Sequence, residues 1–451
     1  MLQILFISGS ASAIVKNVGT LALLLLLLPF NLAMVFLSWV KYTIGGGADS
    51  RTIPTVNTEK KRILITGAKM TKALQLARFF YRDGHEVYLL ETHKYWLSGH
   101  RFSKAVKGFF TVATPEKDPE QYCQDILNIV RSKNIDLFIP VSSPIASYYD
   151  SLAKVAIEPY CESLHLDPEE TAILDDKHAF CSKARELGLS APKVFRITDP
   201  QQILDFDFES DGSKYIVKSI PYDSVLRLDL TRLPFEGMED YVRSLPISEE
   251  KPWVMQEFIR GKEYCFHATV RKGKIRLHCC SESSPFQVNY EQVDKPAIYE
   301  WVKTFVEKMN LTGQVCFDMI QTEDGTVYPI ECNPRLHSAI TMFHDRPGVA
   351  HAYLSDDESA PITPLPDSKP TYWTYHELWR LLSIRSLKEL KAWWQKITKG
   401  TDAILTPEDP LPFLMLHNWQ IPLLLLDNLR RLKGWVKIDF NIGKLVELGG
   451  D

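Results

Sequence analysis

The stretch that decides the fold runs from residue 314 to residue 335 and reads Gln314-Val-Cys-Phe-Asp-Met-Ile-Gln-Thr-Glu-Asp-Gly-Thr-Val-Tyr-Pro-Ile-Glu-Cys-Asn-Pro-Arg335. It is typical of two strands joined by a tight hairpin. Asp324-Gly325 marks the turn, because both central residues of a type I′ turn need positive φ. A two-residue loop places Glu323 opposite Thr326 and fixes the register of the strands that follow.

This register predicts one polar and one apolar face. Asp318 lies directly opposite Glu331, and Cys316 lies opposite Asn333. Side chains alternate along a strand, so Asp318, Glu331 and Asn333 share a face. The residues expected on the other face are all apolar: Val315, Phe317, Met319, Ile330 and Cys332.

Two carboxylates that face each other across strands lie with Cβ atoms about 5 Å apart and repel. A hard cation such as Mg²⁺ suits two carboxylates and an amide oxygen. The alternative is an exposed sheet face on which paired acids are tolerated or are neutralised by a nearby lysine. The cation is favoured because Pro334-Arg335 follows at once and brings a guanidinium to the same edge, and metal plus arginine is an arrangement that handles phosphate.

Length and composition limit the class of protein. A chain of 451 residues has room for two or three domains. With 24% charged residues and a formal net charge of -4, nothing indicates nucleic-acid binding. The eight cysteines show no CxxC or zinc spacing, and several fall in apolar runs. They are typical of reduced core residues in a cytosolic protein.

The N-terminal region, residues 1–60, is predicted to be a membrane anchor and linker. Asn17 to Val40 carries no charge and is long enough to span a bilayer. Pro29 and Asn31 interrupt it, so a kinked span, a re-entrant hairpin and a buried globular helix stay open. Lys16 precedes the run, and more basic residues follow it: Lys41, Arg51, Lys60, Lys61 and Arg62. The positive-inside rule predicts a membrane-associated protein whose catalytic body is cytoplasmic.

Alternating strands and helices follow. Arg62–Thr66 is a predicted strand, Met70–Tyr81 a helix and Glu86–Leu90 a strand, then a helix at Tyr122–Lys133 and a strand at Asp136–Val141. This order is typical of βαβ units with a parallel sheet. Because no G-x-G-x-x-G occurs, dinucleotide binding is not expected.

Beyond about Asp167 the pattern changes. A helix is predicted from Asp175 to Leu187, where acids in the first turn are normal capping. In the predicted strand Lys214–Ile220, Lys218 is embedded among apolar residues, where a lysine needs a partner unless it lies on an edge strand. The further predicted elements are the strand Trp253–Ile259, a hairpin of 263–271 and 274–280 turning at Lys272-Gly273, and a helix at Ala297–Met309.

One ordered set of residues carries a family resemblance: Lys177, Lys218, Gln256-Glu257-Phe258-Ile259, Glu263, Asp318, Glu331-x-Asn333 and Arg335. The set resembles the ATP-grasp superfamily of ATP-dependent ligases, over roughly Ile63 to Phe343. The resemblance implies an α/β (α+β) ATP-grasp fold with a Rossmann-like pre-ATP-grasp domain at 61–166. The ATP-grasp domain is then 167–352, with a lid subdomain at about 175–255 and a C-terminal subdomain at 256–352.

The resemblance also implies roles. Lys177 and Lys218 match the lysines that hold the ATP phosphates. The backbone of Gln256, Glu257, Phe258 and Ile259 matches the hinge that meets adenine, while Glu257 or Glu263 binds adenine or ribose. The matches to the metal ligands for Mg²⁺, or Mn²⁺, are Asp318, Glu331 and Asn333. Arg335 matches the arginine near the γ-phosphate and, with Lys218, is the expected catalytic group.

The phosphate lid departs from the family pattern. The family has a glycine-rich loop after the second lysine, but residues 219–229 contain no glycine. Ser219, Ser224 and Arg227 are the available donors.

A closer resemblance concerns longer tracts: Gly67–Arg78, Glu91–Trp96, Lys218–Val225, Leu277–Cys280 and Phe286–Tyr290. They resemble cyanobacterial mycosporine-glycine synthetases, the ATP-grasp ligases of mycosporine-like amino acid biosynthesis. That resemblance implies two small-molecule substrates, the amino acid glycine and the enolised cyclohexenone 4-deoxygadusol. An ordinary carboxylate–amine ligase using an acyl phosphate is one alternative. A membrane-tethered ATP-binding sensor without turnover is another.

Substrate contacts are predicted only as a set of candidates: Lys69, Thr71, His93, Lys94, Tyr95, Ser142, Ser143, Gln287 and Tyr290.

The C-terminal region, residues 370–451, is rich in tryptophan and basic residues. It contains six of the ten tryptophans: Trp373, Trp379, Trp393, Trp394, Trp419 and Trp435. A helix from Leu381 to Lys399 is predicted to be amphipathic, and 421–426 is a short apolar run. These features fit a helix lying at a membrane surface, and packing against the catalytic body is an equal alternative.

Overall fold

The computed structural model describes residues 10–45, 59–141, 144–220, 226, 229–283 and 289–447. Most of the predicted linker, up to Thr58, lies outside the described residues, as do Ser142, Ser143, Ser224, Arg227 and Gln287. The first element is the 35-residue helix α1 (Ser10–Ile44), which contains Pro29.

A five-stranded parallel sheet follows α1. Its strands are β1 (Arg62–Ile65), β2 (Glu86–Thr92), β3 (Gly108–Val112), β4 (Leu137–Ile139) and β5 (Glu162–Ser163), in the order β3-β2-β1-β4-β5. Its helices are α2 (Thr71–Arg82), α3 (Pro119–Lys133) and α4 (Pro144–Ile157). Ile63, Leu64 and Ile65 of β1 are fully buried, as expected for a central strand covered on both faces.

A smaller three-stranded antiparallel sheet lies next in the chain. Its elements are α5 (Pro168–Asp175), α6 (Lys177–Glu186), β6 (Val194–Ile197), α7 (Gln201–Leu204), α8 (Phe208–Asp211), β7 (Tyr215–Ser219), α9 (Met238–Ser244) and β8 (Trp253–Glu257). The strand order is β6-β8-β7, so β8 is central and Lys218 lies on the edge strand β7 opposite Val254. The predicted strand 214–220 is therefore confirmed.

A four-stranded antiparallel sheet carries the decisive hairpin. Its region contains β9 (Lys262–Arg271), β10 (Lys274–Glu282), β11 (Asn289–Tyr290), α10 (Pro296–Met309), β12 (Gly313–Gln321), β13 (Val327–Asn333) and α11 (Val349–Leu354). The sheet order is β10-β9-β12-β13, and one face packs on α10 and α6 around Phe180, Phe305 and Phe317. At the β9–β10 turn, Lys272 and Gly273 both have positive φ, at 49° and 73°, as predicted for a type I′ hairpin.

The C-terminal region is partly core and partly surface. Its elements are β14 (Thr371–Tyr372), α12 (Thr374–Leu381), α13 (Leu387–Lys399), β15 (Thr401–Asp402), α14 (Leu411–Met415), a π-helical turn (Leu416–Gln420), α15 (Ile421–Arg430), β16 (Lys437–Asp439) and β17 (Lys444–Val446). Trp373, Phe413 and Leu425 are buried in the core that also contains the parallel sheet, whereas α13 has no buried residue. Much of the region thus packs against the body.

Two predicted helix boundaries are wrong. The helix predicted from Asp175 begins at Lys177, because Asp175 ends α5 and Asp176 caps α6 by accepting from the backbone N–H groups of His178 and Ala179. The predicted helix Leu381–Lys399 is two helices, since Ser386 caps a new start at Leu387. In both cases a capping side chain separates elements that hydrophobic periodicity alone joins.

Candidate active site

The hairpin has the predicted register at the site but not at the turn. Asp318 pairs with Glu331 across the strands. The predicted two-residue loop is wrong, because Thr322, rather than Glu323, faces Thr326: the Thr322 N–H donates to the Thr326 carbonyl at 3.0 Å. Only Gly325 has positive φ, at 88°. The connection is therefore a three-residue loop with a left-handed glycine, which is the next commonest hairpin type.

A β-bulge restores the register between the turn and the site. Asp318 faces Glu331, but the next residue, Met319, faces Pro329, so Ile330 is the extra residue on β13. A bulge bends its strand and leaves the extra residue out of the ladder. Ile330 is accordingly half-buried and outside the core cluster of this sheet, so its predicted place on the apolar face is wrong.

Gln256 of the strand β8 supports this bulge. Its side chain is 1% exposed, and its Nε2 donates to the Ile330 carbonyl oxygen at 3.0 Å. The main chain of Gln256 is paired on both sides, with Val194 and Ile216. The residue thus connects the smaller sheet to the hairpin through its side chain, a role that the sequence did not predict.

The pKa values of the two facing carboxyl groups shift in opposite directions. Burial and then the neighbouring Glu331 raise the pKa of Asp318 well above its usual value. Burial also raises the pKa of Glu331, but the charges of Lys177 and Lys218 outweigh it and lower that pKa to about 2. Lys177 Nζ lies 3.3 Å from Glu331 Oε2. The two lysines therefore favour the ionised form of Glu331, whereas burial and the Glu331 charge disfavour the ionised form of Asp318.

Lys177 is positioned by the first turn of α6. Burial lowers the pKa of Lys177, but Glu331, Asp175 and Asp318 outweigh burial and raise it. Burial raises the pKa of Asp175, although Arg335 and Lys177 oppose the shift. Asp175 is thus a member of the site charge cluster that sequence reasoning treated as a helix cap.

Arg335 lies at the rim of the hairpin face. Its Nη2 donates to Asn333 Oδ1 at 2.6 Å, and the Arg335 N–H donates to the Asn333 carbonyl at 2.8 Å. Within the described residues, Arg335 Nε is buried without a hydrogen-bond partner. A buried, unpaired N–H beside charged groups is a donor available for an anionic group.

The donor set fits a hard divalent cation. Asp318 and Glu331 face each other and Asn333 adds an amide oxygen on the same face, which are oxygen ligands suited to Mg²⁺. Burial, and then the charge of Glu331, raises the pKa of Asp318, and a cation between the two carboxylates would offset the second cause. A nearby lysine, which was the alternative to a cation, is also present, because Lys177 pairs with Glu331. Lys177 therefore neutralises Glu331, and a cation would neutralise Asp318.

The predicted nucleotide hinge is only partly available for a ligand. Glu257 is occupied, because its carboxylate accepts from the Lys193 N–H at 3.0 Å and from Ser213 Oγ at 3.1 Å. The N–H of Phe258 donates to the Lys214 carbonyl at 2.7 Å. Ile259 is half-buried just beyond the end of β8.

Glu263 is the better-placed acid of the two predicted for adenine or ribose. It is exposed at the start of β9 opposite Ile320, and its charge contributes to the raised pKa of Asp318. Its Oε1 accepts from Ser283 Oγ at 2.6 Å.

The substrate candidates fall into two groups. Lys69, His93, Lys94 and Tyr95 line a cavity of about 760 Å³ at the carboxyl edge of the parallel sheet, which α15 covers. Within it, Lys69 Nζ lies 3.2 Å from Glu91 Oε1. The cation-site residues do not line this cavity.

The other two candidates are buried elsewhere. Thr71 accepts from Trp373 Nε1 at 3.0 Å and donates to the Asn441 carbonyl at 3.1 Å, which is a structural role. Tyr290 is buried and stands edge-on to His337 at 5.3 Å between ring centroids.

A buried polar group behind Arg335 was missed by sequence reasoning. Lys72 Nζ donates to the Leu336 carbonyl at 2.6 Å, and burial, then Arg335, lowers its pKa well below the usual value. His337 lies next to the thiol of Cys265, with Nδ1 3.5 Å from Sγ, and that sulfur lies 3.1 Å from Cys316 Sγ. The signal that the sequence offered was Lys72 itself, a charged residue in the predicted helix that became α2.

Comparison with known proteins identifies the domain that holds these residues. The family model described as "ATP-grasp domain" matches residues 174–339, which contain both lysines, the hinge, the hairpin and Arg335. Over this segment the chain is similar to ATP-grasp domains. No curated protein matches the chain significantly.

Solved structures are similar to this chain at low sequence identity. A biotin carboxylase–β-γ-ATP complex from Campylobacter jejuni is 13% identical, with a TM-score of 0.51 over 67% of this chain and 72% of that chain. An L-amino acid ligase from Bacillus licheniformis is 16% identical with a TM-score of 0.47, covering 65% and 70%. N5-carboxyaminoimidazole synthetase from Staphylococcus aureus, complexed with ADP, is 16% identical with a TM-score of 0.48, covering 70% and 82%. The ATP-grasp match supports an ADP-forming, ATP-dependent ligase.

Proposed function

We propose that the protein is an ADP-forming C–N ligase that joins glycine to the enolised cyclohexenone 4-deoxygadusol, giving mycosporine-glycine. The observation that best supports a ligase is the hairpin face. There Asp318 and Glu331 face each other, and Lys177 Nζ lies 3.3 Å from Glu331 Oε2. The substrates rest on the sequence tracts, chiefly Gly67–Arg78 and Glu91–Trp96, that resemble synthetases of this type.

Each site residue has a role in this proposal. Asp318, Glu331 and Asn333 hold Mg²⁺, which when bound neutralises charge on the ATP phosphates. Lys177 and Lys218 bind the phosphates, and Glu263 is the acid nearest to adenine or ribose. Arg335 directs its unpaired Nε–H to the phosphoryl group being transferred. Positioning and charge neutralisation supply most of the catalysis in such reactions.

The reaction proceeds in two balanced steps. The enol oxygen of the cyclohexenone attacks the γ-phosphorus of ATP, the bond to the bridging oxygen breaks, and ADP leaves. The glycine amine then adds to the carbon that carries the phosphate, and inorganic phosphate departs with the former enol oxygen. The nitrogen releases one proton and keeps the other, which yields the neutral enaminone.

The surrounding chain has a supporting role. Residues 61–166 form the pre-ATP-grasp domain, and residues 167–352 form the ATP-grasp domain. The protein is membrane-associated, with the catalytic domain in the cytoplasm, where ATP is available.

The test uses the full-length protein in mild detergent with Mg²⁺, ATP, glycine and 4-deoxygadusol, omitting each in turn. We expect ADP and phosphate only when 4-deoxygadusol is present, with a new ultraviolet-absorbing adduct whose mass is that of the two substrates minus water. Turnover with a carboxylate and an amine, but not with 4-deoxygadusol, would identify a carboxylate–amine ligase instead. ATP binding without turnover on any acceptor would instead support a membrane-tethered ATP-binding sensor.

A further inference from the structure

The helix α1 is attached to the body by a stripe of buried residues. One described helix segment, Ser12–Ile44, is long and apolar enough to cross a bilayer, and an 18-residue stretch of it has a mean hydropathy of 2.4. Yet three residues at seven-residue spacing, Asn17, Leu24 and Asn31, are at most 3% exposed. Seven residues are two helical turns, so the three lie on one face of α1.

Hydrogen bonds join this stripe to the C-terminal region along its length. Lys433 accepts from Asn17 Nδ2 through its carbonyl at 3.0 Å, and Asn418 Nδ2 donates to the Leu24 carbonyl at 3.1 Å. Asn31 Nδ2 donates both to Tyr375 Oη and to Asn418 Oδ1, each at 2.7 Å. Asn17 and Asn31 are therefore the two polar residues of the uncharged run whose side chains attach α1 to the body.

Contacts with the body extend to both ends of the helix. At the N-terminal end Lys16 Nζ lies 3.9 Å from the Trp435 ring centroid and donates to the Trp435 carbonyl at 2.6 Å. At the C-terminal end Lys104 Nζ lies 5.3 Å from the Tyr42 ring centroid. From Lys16 to Tyr42 a helix rises about 39 Å, more than the roughly 30 Å of the bilayer hydrocarbon core.

This geometry is incompatible with a simple span. If α1 crossed the bilayer, Tyr375 and Asn418, which bind its middle, would be at the depth of the lipid tails together with the non-helical turn at Phe440, whose ring centroid lies 5.1 Å from that of Tyr375. Lipid-exposed irregular backbone does not occur there, because its polar groups would be unsatisfied. We infer that α1 lies in the plane of the membrane surface, with both ends on the side of the catalytic body.

The opposite face of α1 has the chemistry that a lipid surface requires. Within the described residues, Leu25, Leu26 and Leu37 are 68%, 77% and 65% exposed. Phe36 and Trp39 add exposed aromatic rings, which favour the interface between headgroups and acyl chains.

Charge on and around α1 favours an anionic bilayer as the partner. The helix contains two lysines, Lys16 and Lys41, and no acidic residue. Nearby, Arg431 and Lys433 are paired with Asp427 and Glu447. Arg430, which ends α15 where that helix packs against α1, adds an exposed basic residue. Such basic residues attract anionic headgroups.

The first experiment determines on which side of the membrane the N-terminus lies. The full chain with an N-terminal epitope tag is produced in bacteria, and protease is added to spheroplasts and to inverted membrane vesicles. We expect protease to remove the tag and degrade the body only in inverted vesicles. Removal of the tag from the outside of spheroplasts, with the body protected, would establish a span and overturn the inference.

The second experiment tests whether an anionic lipid surface covers the exposed face of α1. Leu26→Asp should lower the fraction bound to vesicles of anionic phospholipid about tenfold or more, the loss expected when one buried leucine is replaced by a charge. Val155→Asp, at an exposed valine of α4, is the matched control and should not change binding. Unchanged binding of Leu26→Asp, or a lipid-free soluble dimer that covers α1, would contradict the proposal.

Discussion

Arg335 Nη2 donates a 2.6 Å hydrogen bond to Asn333 Oδ1, the amide oxygen that faces the proposed cation. The arginine is thereby fixed at the rim of the hairpin face before any nucleotide binds. Arg335→Gln should lower the rate of ADP formation about 100-fold or more, since one lost donor to a developing charge costs about 3 kcal/mol. Steady-state kinetics gives the rate, and ATP affinity measured by calorimetry should change much less.

Arg260→Gln is the control for this substitution, because Arg260 is exposed just beyond β8. It should keep the rate of the unmodified protein. Equal losses in both variants would mean that Arg335 acts through general charge rather than at the transferred phosphoryl group.

Asp318 illustrates a conflict between function and stability. It is directly opposite Glu331, and removing one of two facing acids relieves repulsion worth about 1 kcal/mol. Asp318→Asn should therefore stabilise the cation-free protein by about 1 kcal/mol in urea unfolding while abolishing Mg²⁺-dependent turnover. Glu323→Gln, in the exposed turn, should change neither. Turnover by Asp318→Asn at the normal Mg²⁺ concentration would contradict the cation assignment.

Gln256 provides a test of the bulge. Gln256→Leu removes the donor to the Ile330 carbonyl, and an unsatisfied buried carbonyl costs about 1 to 3 kcal/mol. We expect a lower unfolding free energy in urea together with weaker Mg²⁺ binding, because the bulge sets the register of Glu331. Gln124→Leu, at an exposed glutamine of α3, is the control. Weaker ATP binding with unchanged stability would indicate an adenine contact instead.

The pH dependence of cation binding follows from Asp318. Burial and then Glu331 raise its pKa, so below that raised pKa the group carries a proton that Mg²⁺ must displace. Mg²⁺ affinity should then fall about tenfold for each pH unit below the pKa and level off above it. Calorimetric Mg²⁺ titrations from about pH 5 to about pH 9 measure the slope. The slope should disappear in Asp318→Asn, and its persistence there would assign the proton to another group.

The sequence predicted the strand register at the site correctly but not the turn that leads to it. The pairing of Asp318 with Glu331 is confirmed, yet the two-residue loop is wrong. The loop is one residue longer and the bulge at Ile330 adds one residue on β13, so the two deviations cancel at the site. A bulge has no local sequence signature here, because the donor that satisfies it, Gln256, lies 74 residues away.

Other features could not be predicted because they depend on contacts between distant segments. Asp175 had the appearance of a helix cap until α5 placed it beside Lys177. The uncharged run around Asn31 had the composition of a span, but composition does not reveal that Tyr375 and Asn418 bind it. The parallel sheet was predictable, because buried strands and an amphipathic helix leave local periodicities.

The most direct test of the central claim follows one oxygen atom. The acceptor is labelled with ¹⁸O at the oxygen that the amine replaces, and the phosphate released during turnover is analysed by mass spectrometry. A phosphorylated acceptor predicts one ¹⁸O in each phosphate and none in ADP, with Asp318→Asn releasing neither product. Unlabelled phosphate alongside formation of the adduct would contradict phosphoryl transfer to the acceptor, and with it the two-step mechanism assigned to this site.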